Sequence, residues 1–111
     1  GKLAVVAVLL KEGKRNPLLK TLWKNIPNQK KQEVSMKKVN INLAKLLPKQ
    51  QGYYAFSGSL TTPPCSEEVS WMVLKTPVEM SKAQIAKFGK YYSNNARPVQ
   101  PLNDRSLTVS K

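Results

Sequence analysis

The 111 residues predict an α+β chain, and three observations predict it. The apolar run from Leu3 to Leu10 begins almost at once and reads as a buried strand. Two segments, after Asn16 and after Ser81, carry apolar residues at helical spacing behind a capping side chain. Two further runs, Tyr53 to Phe56 and Val69 to Leu74, are aromatic or β-branched and bounded by Ser, Gly or Pro, as strands are. The order is strand, helix, loop, strand, strand, helix, extended tail. By itself it leaves several α+β architectures open.

Leu3 to Leu10 is apolar on both faces and partly β-branched, which suits a strand covered on both sides better than a helix. It is too short to cross a bilayer, which takes about 20 apolar residues. A sequence that opens so close to a core strand predicts that preceding structure has been lost. Lys11 to Arg15, with Gly13, form a polar turn. Asn16-Pro17 supplies an N-cap and then a proline at the first helical position. Leu18, Leu19, Leu22, Trp23 and Ile26 share one face of that helix, which Pro27 ends.

Asn28 to Lys38 is Lys- and Gln-rich without periodicity and reads as an exposed loop. Val39 and Ile41 resume alternation, and Leu43, Leu46 and Leu47 suggest a short helical turn closed by Pro48. The strand at Tyr53 to Phe56 stops at Ser57-Gly58; the one at Val69 to Leu74 is mostly buried and is broken by Thr76-Pro77. Ser81 with Gln84 makes a capping box, and Met80 and Ile85 occupy the positions of a hydrophobic staple. That helix turns Ile85 and Phe88 inward and fades around Ser93-Asn94-Asn95. Arg97 to Pro101 is extended and too proline-rich for a central strand. No internal repeat or low-complexity segment interrupts this order.

Composition narrows the function. Hydrophobic residues make up 41%, slightly under the globular range, so the core is modest. Lys and Arg number 19 against 6 Asp and Glu, a net charge of +13. Such an excess attracts anionic polymers non-specifically. The lysines are spread through loops, and no zinc-finger or RNA-binding motif accompanies them, so a solvated basic surface is the better reading and no specific nucleic acid is expected. Histidine is absent and Cys65 is the single cysteine. A catalytic zinc needs about three His, Cys, Asp or Glu ligands, and no such spacing occurs, so no metal site is expected within the chain. A lone cysteine is either an inert thiol or half of a disulfide.

The unusual segment is Gly58-Ser59-Leu60-Thr61-Thr62-Pro63-Pro64-Cys65. Pro63 restricts Thr62 to extended geometry, and the two prolines remove two backbone donors. Two adjacent hydroxyls are thereby held on a stiff loop between strands. On spacing alone an ordinary β-turn with polar tips would account for it.

Gly58 to Pro64 resembles, residue for residue, the loop that α-class carbonic anhydrases place beside their zinc. Further likenesses run in the same order: Leu3-Ala4-Val5, Leu47-Pro48 before Tyr53-Tyr54, Val69-Ser70-Trp71, and Arg97-Pro98-Val99-Gln100-Pro101-Leu102. Several collinear motifs are specific where one would be weak. The resemblance covers essentially the whole chain but about half of the family's domain. It implies that residues 1–111 are the C-terminal part of a single domain whose N-terminal part is absent. The implied fold is mainly β: a twisted, largely antiparallel central sheet with short flanking helices. Alone, such a piece would be marginal, with an aggregation-prone edge at its first strand.

The resemblance also implies a site. In the family, a zinc held by three histidines makes hydroxide available near neutral pH, carbonic anhydrase being the standard example of that effect. The zinc ligands would lie upstream of residue 1. Thr61 would accept a hydrogen bond from zinc-bound hydroxide and pass its proton toward a carboxylate, since a hydroxyl can both accept and donate. Its backbone N–H would position substrate or inhibitor oxygens, and Thr62 would contact bicarbonate or pocket water. Carbon dioxide is uncharged and takes an apolar pocket, for which the family's wall residues are Val5, Leu60, Val69 and Trp71. From the residues alone, these four would be plain core. Glu67 and Glu68 are not recruited to the relay. Phe56 stands where many relatives carry a hydroxylated or polar ring. The Pro63-Pro64 bond is expected to be cis.

Cys65 matches a cysteine that, in secreted and bacterial members, bonds to one near the N-terminus. The resemblance thus implies a periplasmic or extracellular setting, with a free thiol as the alternative. Implied partners are carbon dioxide and bicarbonate, sulfonamide-type inhibitors, small anions and a second copy in a homodimer; no membrane span is expected. Three functions follow: a zinc-dependent carbonate dehydratase of which this chain alone is inactive, a non-catalytic relative serving as a binding or structural module, and a basic protein binding anionic polymers. Zinc-independent, salt-sensitive binding to DNA or heparin would favour the last.

Overall fold

The structure, a computed structural model, describes residues 1–27 and 33–111. The elements are β1 (Leu3–Ala7), β2 (Leu10–Glu12), α1 (Pro17–Lys24), a 3-10 turn (Leu43–Leu46), β3 (Tyr53–Gly58), β4 (Val69–Leu74), β5 (Val78–Met80), α2 (Lys82–Gly89) and β6 (Thr108–Val109). They fall into two compact units. One comprises Gly1–Leu9, Pro48–Pro77 and Asn95–Lys111; the other comprises Leu10–Leu47 and Val78–Asn94.

The first unit is built on a four-stranded sheet ordered β1-β4-β3-β6. β1 pairs with β4 in parallel, and β3 pairs antiparallel with both β4 and β6. The sheet is therefore mixed, with antiparallel ladders in the majority, and the family's mainly β architecture is what the described residues form. β4 is interior, and its sequence shows why: Val69 is 1% exposed and Leu74 5%, the two buried residues of this unit's apolar core. Full burial of such side chains contributes about 1.5–3 kcal/mol each.

The opening apolar run differs from expectation. It divides after Ala7 instead of forming one strand, and β1 lies at the edge of its sheet with Leu3 49% and Val6 54% exposed. Apolar residues on both faces make a strand fit for burial, but the ladder decides how many neighbours it gets. The tail is extended through Pro101 and then contributes β6, too short to be read from composition. Ser110 closes that end: its N–H donates to the Tyr53 carbonyl at 2.9 Å and its hydroxyl accepts the Tyr53 N–H at 2.7 Å.

In the second unit β2 and β5 pair in parallel, where the sequence predicted a polar turn and no strand after Pro77. α1 starts as expected: the Asn16 side chain accepts the Leu19 N–H at 3.1 Å, with Pro17 behind it. Leu19 is 2% exposed and anchors the predicted face. The helix ends at Lys24, before Pro27. The capping box of α2 forms, with Ser81 Oγ accepting the Gln84 N–H at 3.2 Å and Gln84 Oε1 accepting the Ser81 N–H at 2.9 Å.

What α2 buries is different from the expectation. Ile85 and Phe88 are 40% and 39% exposed, whereas Gln84 is 7%. The amide is buried because every polar atom is used. Its Oε1 also accepts the Asn16 N–H at 3.0 Å, and its Nε2 donates to the Asn16 carbonyl at 2.8 Å. Trp23 Nε1 donates to the Gln84 carbonyl at 2.7 Å, and the indole stacks on Phe88 with centroids 5.7 Å apart. The predicted short helical turn is present as a 3-10 helix at Leu43–Leu46, capped by Asn42. Of the expected loop from Asn28 to Lys38, 28–32 lie outside the described residues and 33–38 are exposed without regular structure.

Candidate functional site

The site is assembled from one face of the first unit's sheet and the loop that leaves β3. Strand residues alternate between faces, and the registers Val5 with Trp71, Leu3 with Val69, Phe56 with Trp71 and Gly58 with Val69 put these side chains on one face. Val5 and Trp71 are half-buried neighbours across the parallel ladder. Trp71 lies parallel to Phe56, with ring planes 3° apart and centroids at 6.3 Å. Gly58 makes room for that indole: a Cβ there would sit 2.8 Å from Trp71 Cδ1 and 3.1 Å from its Nε1.

The loop after Gly58 is fixed at both ends. The Leu60 N–H donates to the Ser66 carbonyl at 2.9 Å, and the Cys65 N–H donates to the Thr62 carbonyl at 2.8 Å. The second bond closes a turn around the cis Pro63-Pro64 peptide, the geometry expected of a proline at the third turn position. Cys65 and Glu68 have left-handed backbones, φ 57° and 64°, unusual for residues other than glycine. Such conformations persist where surrounding contacts hold them.

Thr61 opens onto a cavity of about 460 Å³ on the shared sheet face, lined also by Phe56, Trp71, Val73 and the tail from Arg97. Thr61 and Thr62 are both exposed, and among the described residues neither hydroxyl has a hydrogen-bond partner. Both are therefore available as donor and acceptor. Of the expected wall residues, Trp71 lines this cavity, Leu60 is half-buried beside Thr61, and Val5 adjoins Trp71 by register. Val69, at 1% exposure, is packed into the core of the same face. Glu67 and Glu68 line a separate cavity of about 380 Å³ that does not include Thr61.

Two residues of the tail and one of the loop carry structure that sequence reasoning left without a role. Arg105 donates from Nη1 to the Ser57 carbonyl and from Nη2 to the Pro101 carbonyl, both at 2.8 Å, and from Nε to the Leu102 carbonyl at 3.0 Å. Arg97 Nη1 donates to Ser59 Oγ at 2.9 Å, and Trp71 Nε1 donates to the Ser59 carbonyl at 3.0 Å. The signal available in the sequence was the tail's extended, proline-rich character. A segment without its own ladder leaves carbonyls to be satisfied, and a guanidinium with five donors is suited to gather them.

Cys65 is half-buried and unpaired. Among the described residues no group of three or more His, Cys, Asp or Glu side chains is placed to hold a metal ion, and no helix is long and apolar enough to cross a membrane.

The sequence profile of the eukaryotic-type carbonic anhydrases matches residues 1–111. A carbonic anhydrase of Nostoc sp. is 49% identical over 105 residues, covering 95% of this chain and 40% of the relative. One from Klebsiella pneumoniae is 48% identical over 106 residues, covering 95% and 43%. Among solved structures, the α-carbonic anhydrase of Thermovibrio ammonificans in complex with the inhibitor sulfanilamide superposes with a TM-score of 0.88 at 48% identity, covering 94% of this chain and 46% of that one. The chain thus spans well under two thirds of the length of the relatives it matches.

Proposed function

Because the chain belongs to the eukaryotic-type carbonic anhydrase family, we propose that the protein carrying it catalyses the reversible hydration of carbon dioxide to bicarbonate and a proton. Residues 1–111 are, in this proposal, the C-terminal part of a single catalytic domain. The family's enzymes use zinc, and the residues present do not fit that ion: the chain has no histidine and no ligand cluster forms among its described residues. We assign the ligands to residues outside the chain, and expect the chain alone to be inactive.

What this chain contributes is aim and surroundings. The Thr61 hydroxyl accepts a hydrogen bond from the attacking oxygen and passes its own proton toward a carboxylate outside these residues, which turns a lone pair toward the carbon. Its backbone N–H and the Thr62 hydroxyl hold product or inhibitor oxygens. Val5, Leu60 and Trp71 form the apolar wall that an uncharged substrate takes, and Val69, packed in the core, backs that wall instead of facing the cavity. The observation that carries the reading is the exposed Thr61 hydroxyl on a loop closed at both ends, opening onto a cavity walled by Trp71. The sulfanilamide complex of the Thermovibrio ammonificans relative supports sulfonamides as inhibitors here. Pairing of Cys65 with a cysteine elsewhere in the protein, in a periplasmic or extracellular compartment, is part of the same proposal. Alkylation of the intact protein with and without reductant tests it.

The deciding experiment is carbon dioxide hydration by the intact, zinc-loaded protein and its position-61 variants. Thr61→Ala and Thr61→Val should lose on the order of 100-fold in kcat/KM, as loss of a preorganised hydrogen-bonding group does. Thr61→Ser should stay within about tenfold, since it keeps the hydroxyl. Wild-type activity in Thr61→Val would refute the assignment.

A further inference from the structure

We propose that Ser59 is a positioning residue for Thr61, and that Arg97 acts through it. The inference rests on the reading of Thr61 above. Ser59 stands between the end of β3 and the threonine loop, and its hydroxyl and carbonyl are both engaged. The carbonyl accepts Trp71 Nε1 at 3.0 Å. The hydroxyl accepts Arg97 Nη1 at 2.9 Å and donates to the Leu60 carbonyl at 3.0 Å.

The last of these bonds reaches Thr61. A peptide unit is planar, so the Leu60 carbonyl and the Thr61 N–H point in opposite directions in one plane. Fixing the carbonyl with the Ser59 hydroxyl therefore fixes where the Thr61 N–H points, and with it the N–Cα bond about which the Thr61 side chain is set. Arg97 contributes a charge. A cationic donor on the Ser59 oxygen polarises its O–H and strengthens the bond the hydroxyl makes onward. The guanidinium comes from the tail, 38 residues along the chain from Ser59. Gly58 supports the same junction, since a Cβ there would push away the indole that holds the Ser59 carbonyl.

The test uses the intact, zinc-loaded protein with Ser59→Ala, Arg97→Gln and Arg97→Lys, read by steady-state kinetics and by amide hydrogen exchange over residues 59–66. Ser59→Ala and Arg97→Gln should each lower kcat about fivefold to tenfold with KM within about twofold, the scale of one hydrogen bond lost from a positioning network. Exchange at Thr61 should quicken several-fold in both variants. Arg97→Lys, which keeps a charged donor, should recover most of the loss. A role confined to stability would lower the melting temperature and leave kcat per folded molecule and the lysine rescue without effect. That result, or unchanged exchange at Thr61, overturns the proposal. Should Ser59→Ala fail to fold, the exposed Arg97 pair decides alone. If the wild-type protein hydrates no carbon dioxide, the proposed function falls, and the exchange measurement still decides the junction.

Discussion

In the proposed reaction a hydroxyl at position 61 matters because one group there can accept and donate at once, and the backbone leading to it is constrained from several directions. Ser57, Gly58 and Ser59 are each constrained by a residue distant in sequence: Arg105 on the Ser57 carbonyl, Trp71 against Gly58, and Trp71 with Arg97 on Ser59. Gly58→Ala should therefore be costly out of proportion to one methyl group. The nearest neighbour is the Trp71 ring, whose Nε1 is tied to Ser59, and it cannot swing aside without breaking that bond. A loss of about 1–3 kcal/mol in unfolding free energy is expected in the intact protein, measured by denaturant titration. A change under 0.5 kcal/mol, the scale of a neutral surface substitution, would show that the indole yields freely. At this scale the stiff loop was legible in the sequence, because two prolines follow two hydroxyls, while the role proposed for Thr61 and Thr62 came from the family resemblance. Arg97 and Arg105 were present as residue types, but no spacing rule could say which carbonyls a long side chain would reach.

Among the elements, α2 shows where local rules suffice and where they stop. Its start was legible from Ser81 and Gln84, since a capping box is a contact within four consecutive residues. Its buried face was not. Gln84 serves the cap and also binds the backbone of Asn16, which caps α1, so one amide joins the starts of both helices. Gln84→Ala should consequently cost about 2–4 kcal/mol, since it strands three partly buried backbone groups, whereas Ser81→Ala should cost about 1 kcal/mol. Urea unfolding of the two variants in the intact protein checks the ratio; equal losses would mean that Gln84 acts only as a cap. The strands divide the same way. β3 and β4 were found from their apolar and aromatic character, while β2, β5 and β6, at two or three residues each, owe their existence to partners that composition does not name.

On the scale of the whole molecule, the chain contains no histidine, and the proposal assigns the zinc ligands outside it. The 111-residue chain alone is expected to bind no stoichiometric zinc and to hydrate no carbon dioxide. Co-expression with the remainder of the protein should restore both; metal analysis alongside hydration assays would show it, and activity from the chain alone would contradict the assignment of the ligands. β1 adds a physical liability. It is an edge strand with exposed Leu3 and Val6, the kind of edge that recruits further strands. Val6→Lys should make the isolated chain markedly less prone to aggregate, read by light scattering, because a charge on an edge strand opposes further pairing. The net charge of +13 opposes self-association too, so raising salt should worsen aggregation of the unsubstituted chain.

What the residues determined unaided is whatever depends on near neighbours along the chain: the caps at Asn16 and Ser81, the stiffness of Thr61 to Pro64, the strands at Tyr53 and Val69, and the absence of histidine. Motifs in a shared order were enough to point to the family. Only the tertiary structure decided that Leu3 to Leu10 splits, that Gln84 is buried while Ile85 is not, and that a guanidinium from the tail meets Ser59. The reason is the same in each case. Those outcomes depend on which groups at long separation come within hydrogen-bonding reach, and hydropathy along a sequence carries no record of that partner.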